Sequence, residues 1–290
     1  MDHQSWTESQ AETTVTVDGH DLSLAYRDEG TGTPVLFLHG IPTWSFLWRR
    51  TAPPLTEQFR TVVPDFVGYG NSDRRDGFDR SIRAQEQAVA DLVDQLGLDE
   101  FHVVGHDIGG GVAVRYAAHT EGRVDKLVLS NATLYDSWPV EYITSLGLPA
   151  TLEMDEDAFR ERLDRAFVDG LEREEPDPEW VEGMTEPWLR AGGQRAFARA
   201  AVATNTNHTT EVEYDAVGDA GTDGGRASTT GDADLLCLWG AADAEQPVDD
   251  GYRLAREVGG DVVALDDAGH WVTEDRPAAY RDHLESFLAE

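Results

Sequence analysis

The stretch FHVVGHDIGGGVAVRYA, residues 101–117, runs from a short apolar segment into a helical one, with Gly105 and Gly109 two residues either side of Asp107. The spacing outlines a strand-to-helix elbow with a carboxylate at its centre. A hydroxyl in that position needs a base to become a nucleophile. A carboxylate does not, because an unperturbed aspartate, with a pKa of about 3.9, is already ionised at neutral pH. It can attack a saturated carbon directly and form an ester. The chain therefore carries, at one sharp turn, a side chain suited to displacing a leaving group from carbon.

Such a turn needs a sheet to present it, and the flanking sequence supplies one. TVTV (14–17) and LSLAY (22–26) read as a hairpin with Asp18-Gly19 at its turn. VLFLH (35–39), FRTVVPD (59–65), FHVV (101–104) and VDKLVLS (124–130) are continuous apolar runs, the mark of strands covered on both faces. Residues 81–97, SIRAQEQAVADLVDQLG, show helical spacing and stop at Gly97. Alternation of this kind predicts an α/β fold with a mostly parallel sheet and crossover helices. The pattern breaks after Ser130, and strand-like runs return only at LLCLW (235–239) and DVVAL (261–265). The expected organisation is a core over 1–132, a helical cap over 133–215 and the rest of the core over 216–290. That last part opens with a Gly-, Asp- and Thr-rich segment, 216–234, expected as a mobile, solvated loop. The cap is expected to lie over the sheet's C-terminal edge, where open α/β sheets bind ligands.

Composition narrows the partners. The net charge is −33, and Lys126 is the only lysine. Such a surface repels nucleic acid and anionic membrane, and at low salt it repels itself. Molar salt shortens the screening length to about 3 Å, so the balance reads as adaptation to a high-salt cytoplasm and carries no message about the substrate. No apolar run reaches the roughly 18–20 residues of a membrane span. The polar start, MDHQSWTESQAETT, lacks the order of a signal peptide, so a soluble cytoplasmic protein is expected. The single cysteine, Cys237, excludes an internal disulfide and a cysteine-based metal site; within LLCLW it reads as a buried strand thiol. There is no internal repeat, no metal-ligand spacing and no lysine-bearing phosphate loop. Neither metal nor cofactor is implied.

Five motifs fall at strand ends in one order: LHGIPTWSFLWRR, PDFVGYGNSD, GHDIGGG, LWGAAD and DAGHW. Together they resemble the α/β-hydrolase superfamily and, within it, the aspartate-nucleophile branch of epoxide hydrolases and haloalkane dehalogenases, over about residues 20–132 and 235–290. The resemblance implies a nucleophile at Asp107, an acid at Asp243 and a base at His270. A parallel sheet brings three such strand ends to one edge. His270 would deprotonate the water that hydrolyses the Asp107 ester, and Asp243 would hold its ring and stabilise its cation. An ester substrate would force an anhydride on Asp107, so ordinary esterase activity is disfavoured. The negative charge on the ester oxygen would meet two backbone N–H groups, those of Ile41 and Ile108, with Pro42 fixing the turn.

The sequence departs from the dehalogenase pattern at those isoleucines. Haloalkane dehalogenases usually place Trp after the nucleophile and often Asn after His-Gly, and both donate to the departing halide. Isoleucine cannot, and a buried halide without donors is poorly solvated; Trp44 or Trp138 would have to substitute. Epoxide hydrolases usually carry an aromatic residue after the nucleophile, so Ile108 is unusual there too. They activate the ring oxygen with cap tyrosines, for which Tyr135, Tyr142 and Tyr214 are the candidates; the alternative is that these rings fill the cap's own core.

Other polar residues read as structural or weaker candidates. His39 and His106 occupy positions that resemble structural ones in the family. Asp65, Asp73, Asp266 and Asp267 suit turns, and His208 is a pocket-lining candidate. The acid can instead follow the sixth strand, as in some dehalogenases, but Asn131 stands there and is a poorer match than Asp243. The reading is a hydrolase acting with water on a small apolar electrophile, epoxide opening ahead of dehalogenation. A non-catalytic binder on the same fold is the alternative of another class.

Overall fold

The protein is described from a computed structural model covering residues 1–120, 122–173, 175–217 and 233–290. Eight strands form one sheet: β1 (Ala11–Val17), β2 (His20–Glu29), β3 (Pro34–Leu38), β4 (Arg60–Pro64), β5 (Phe101–His106), β6 (Val124–Ser130), β7 (Asp234–Gly240) and β8 (Asp261–Leu265). Their spatial order is β1-β2-β4-β3-β5-β6-β7-β8. The two contacts made by β2 are antiparallel and the other five are parallel. The α/β fold with a mostly parallel sheet is as expected.

Local chemistry explains the elements. In the β1–β2 hairpin Val17 pairs with His20 across Asp18-Gly19, whose φ angles are 48° and 80°. A two-residue hairpin turn matched to strand twist requires positive φ at both positions. The central strands β3, β5 and β6 are almost wholly buried, in keeping with their largely apolar sequences.

The helices are α1 (His3–Glu8), α2 (Ala52–Leu55), α3 (Ile82–Leu96), α4 (Ile108–His119), α5 (Glu141–Leu146), α6 (Pro149–Leu152), α7 (Glu156–Asp169), α8 (Pro178–Leu189), α9 (Gly193–Ala201), α10 (Asn207–Thr210), α11 (Val248–Val258), α12 (Val272–Asp275) and α13 (Pro277–Leu288). The Ser81 hydroxyl caps α3 by accepting from the Ala84 N–H, and Gly97, at φ 63°, ends it. Helices α5 to α10 all lie between β6 and β7. Their buried rings, among them Phe159, Trp180, Trp188 and Phe197, belong to the same hydrophobic cluster as the sheet.

Helix α1 is the element the polar N-terminal sequence did not announce. Its Trp6 is fully buried, and its indole N–H donates to the Ser45 hydroxyl. Residues 218–232, the body of the expected solvated loop, lie outside the described residues. Its two flanks differ from the expectation, since Val217 and Ala233 are buried. Cys237 is a buried free thiol, as expected. Among the described residues no helix is long and apolar enough to cross a membrane.

The strand order reverses around β3 and β5: the chain leaves β3 for β4 on one side and then returns to β5 on the other. Crevices beyond the C-terminal ends of strands at such a point are where open sheets hold ligands. The segments after β3 and β5 carry Ile41 and Asp107.

Candidate active site

Asp107 occupies the one-residue step between β5 and α4, at φ 53° and ψ −124°. For a residue with a Cβ this backbone costs roughly 1–3 kcal/mol. Four main-chain hydrogen bonds hold it. The Asp107 N–H donates to the Ser130 carbonyl, and its carbonyl accepts from the N–H groups of Gly110, Gly111 and Thr133. The flanking glycines are required by close approach. A Cβ on Gly109 would lie 2.4 Å from the Leu38 carbonyl oxygen, and one on Gly105 would lie 2.6 Å from that of Gly109.

The carboxylate spans the reversal point. Its Oδ1 accepts the Ile41 N–H at 2.7 Å, and the Ile108 N–H stabilises the same ionised group. The Thr133 hydroxyl lies 3.4 Å from Oδ2. Burial pushes the acid up to about 6, against the opposing pull of the His270 charge and the two amide donors. The Ile41 donor already points at Oδ1, so that oxygen is held from the β3 side, while Oδ2 meets the more distant Thr133 hydroxyl.

His270 and Asp243 come from the segments after β8 and β7. The His270 Nδ1 lies 2.8 Å from Asp243 Oδ2. Burial would pull the imidazole below its ordinary range. The Asp243 charge, the hydrogen bond to it and the Asp107 charge outweigh that and hold it up at about 9. Burial likewise pushes Asp243 up, but the His270 charge and several hydrogen bonds hold it below the usual carboxylate range. Its Oδ1 accepts the N–H groups of Glu245 and Gln246, and its Oδ2 accepts the Asn131 amide at 2.6 Å. Asn131 therefore does not replace Asp243; it braces it, with its own Oδ1 accepting the Gly240 N–H.

Asp107, Asp243 and His270 line a common cavity of about 280 Å³. Ile41, Pro42, Ile143, Ala166 and Trp271 give it an apolar wall, and the exposed Tyr142, Asp169, Glu172 and Glu245 also line it. Trp271, Asp169, Glu172 and Glu245 escaped the sequence reading. Only the position of Trp271, next to His270, could have flagged one of them.

Of the expected cap and halide-contacting residues, only Tyr142 reaches the cavity. Tyr135 instead donates its hydroxyl to Glu257 at 2.6 Å, beneath the Arg253 guanidinium. Tyr214 donates to the Thr209 carbonyl and accepts from the Tyr135 N–H. The Trp44 indole donates to the Gly183 carbonyl in the protein interior. Trp138 is buried and does not line the cavity. His208 faces Asn205, with its carbonyl accepting from Arg115.

His39 is structural: its Nδ1–H donates to the Gly40 carbonyl and its Nε2 accepts the Phe66 N–H. Burial holds His39 down at about 3, so it is neutral. His106 is also buried and held well below its ordinary value, by burial and by the nearby His270 charge. Among the described residues no cluster of His, Cys, Asp and Glu is arranged to hold a metal.

Comparison with known proteins agrees with this architecture. The sequence model described as alpha/beta hydrolase fold matches residues 33–277. Haloalkane dehalogenase 2 of Mycobacterium tuberculosis is 41% identical over 116 residues, which is 40% of this chain and 40% of that protein. Soluble epoxide hydrolase of Corynebacterium sp. is 39% identical over 105 residues, or 36% of each chain. The chain thus matches well under half the length of these relatives. An α/β-hydrolase fold protein from Burkholderia ambifaria superposes with a TM-score of 0.83 at 23% identity, covering 94% of this chain and 97% of that one.

Proposed function

We propose that this chain, which belongs to the α/β-hydrolase fold family, breaks a carbon–heteroatom bond at a saturated carbon through an ester on Asp107, with epoxide opening to a diol as its reaction. The observation that carries the reading is the buried Asp107 carboxylate, with one oxygen held by the Ile41 N–H and its cavity shared with His270.

In the first step Asp107 Oδ2 bonds to a ring carbon and the C–O bond of the epoxide breaks. The electron pair moves to the ring oxygen, which takes a proton from the Tyr142 hydroxyl. Burial raises the Tyr142 pKa, so the phenol is protonated and able to donate at neutral pH. Esterification removes the Asp107 charge, one of the interactions that keep a proton on His270; the imidazolium then passes that proton to solvent and regains one when the Asp107 carboxylate is restored. The imidazole is thereby released to act as a base in the second step.

His270 then takes a proton from water, and the hydroxide adds to the Asp107 carbonyl carbon. Charge develops on Oδ1, where the Ile41 N–H already points; one such donor is worth roughly 3–4 kcal/mol. Collapse breaks the ester bond, and the departing alkoxide takes the proton from His270. The oxygen from water stays on Asp107 as a carboxylic acid, whose proton returns to the Tyr142 phenolate. The sum is epoxide plus water giving diol.

Hydrolytic dehalogenation is the second reading, favoured by the dehalogenase relative. Against it, the one indole lining the cavity, Trp271, already donates to the Ala166 carbonyl, which leaves a buried halide poorly solvated. One experiment separates the readings. His270→Gln is incubated with an epoxide or a bromoalkane in molar KCl, and its intact mass is recorded. An adduct of the epoxide's mass supports the lead. An alkyl adduct with bromide release, and none from epoxides, supports the second reading. No adduct from either class points to a non-catalytic binder.

A further inference from the structure

The loop that carries His270 is fixed on one side by Asp243, but that bond orients only the ring. The peptide before His270 is held by another carboxylate. Asp275, at the end of α12, accepts the Gly269 N–H on Oδ2 at 2.9 Å. The same carboxylate accepts the N–H of Glu172, at 3.1 Å on Oδ1 and 3.0 Å on Oδ2, and that of Arg173 at 3.1 Å. These two residues follow α7, in the stretch that forms the cap's wall of the cavity.

The two backbones are also pressed together. The Trp271 N–H donates to the Gly170 carbonyl at 3.2 Å, and a Cβ on Gly269 would lie 2.6 Å from that same oxygen. There is no room for a side chain between the cap wall and the histidine loop.

We propose that Asp275 is a positioning residue that ties the cap's cavity wall to the His270 loop, so that the base is in register only while the wall is seated. The proposal rests on the ester mechanism above for its kinetic consequence, but not for its geometry. Ester formation needs Asp107, which is held by β3, β5 and β6, and Tyr142 on α5, and among the described residues neither is hydrogen-bonded to Asp275. Ester hydrolysis needs His270 against the bound ester. Loosening the tie therefore slows the second step and spares the first.

The test uses the whole protein in molar KCl as wild type, Asp275→Ala and Asp275→Asn, with a terminal alkyl epoxide (1,2-epoxyhexane) as probe. Hydrogen exchange is followed over 166–173 and 268–272, and rapid-quench intact mass follows ester formation and decay. In Asp275→Ala both segments lose protection together. Ester decay slows by about ten-fold or more, as loss of hydrogen bonds to a charged group implies, while formation stays within about two-fold and ester accumulates. Asp275→Asn keeps one acceptor oxygen and falls between, and it carries the test if the alanine variant does not fold. Protection lost in one segment alone, or formation and decay slowed in equal proportion, overturns the proposal. Should no ester form even in His270→Gln, the ester mechanism fails, and the exchange result by itself decides whether the tie exists.

Discussion

Because burial holds the Asp107 acid up at about 6, its carboxyl carries a proton below that pH, and by the proposed mechanism it then cannot attack. The limiting acid slope of kcat/KM, which reports the free enzyme, is then about ten-fold per pH unit below an apparent pKa near 6. A limb near 4 would mean that an ordinary exposed carboxyl controls the rate. His270 sets a different dependence. Its imidazole stands at about 9, above its unfolded value of about 6.5. The stability this contributes is complete below about 6.5 and is lost as pH rises through 9. The melting temperature should fall across that window, and His270→Gln should flatten the fall. At this scale the sequence was informative where a motif constrains the backbone. The glycines around Asp107 and the ends of LWGAAD and AGHW pointed to three side chains that share one cavity. The bracing of Asp243 by Asn131 was not legible, because a one-letter string does not reveal that the ends of β6 and β7 converge.

Tyr142 on α5 is the one tyrosine of three that the cap delivers to the cavity. General acids contribute roughly 10²–10⁴-fold, so Tyr142→Phe should slow ester formation from an epoxide by at least about a hundred-fold. Ester formation from a bromoalkane needs no proton and should be unaffected. Equal loss with both substrates would assign Tyr142 a packing role. The reason Tyr135 and Tyr214 stay outside lies in the elements. Tyr135 sits at φ 49° just after β6 and turns its hydroxyl to Glu257 on α11, while Tyr214 lies in a short turn that closes on Tyr135. The break in the strand pattern after Ser130 led us to expect helices there, and α5 to α10 follow β6, but the pattern could not say which face each ring takes. Strands β3 to β8, in contrast, were legible to within two residues, because largely apolar runs have one place to go in a parallel sheet; β1 and β2, whose polar residues continue the hairpin, run up to three residues beyond the expectation. Helix α1 was missed because five of its six residues are polar and only one, Trp6, is the ring that anchors it.

For the molecule as a whole, the net charge of −33 dominates. At 0.1 M salt the screening length is about 10 Å, and at molar salt about 3 Å. We expect circular dichroism to show loss of structure in dilute buffer and recovery in molar KCl, with activity following. Full activity in dilute buffer would contradict salt adaptation. The ester mechanism turns on one bond, between Asp107 and the substrate carbon, and isotope tracing reads it most directly. Enzyme in excess over epoxide is allowed a single turnover in ¹⁸O-water. An Asp107 ester gives a diol free of ¹⁸O and one ¹⁸O atom in the peptide that holds Asp107. A labelled diol with an unlabelled peptide would mean that water attacks the substrate itself, and the ester mechanism would be wrong.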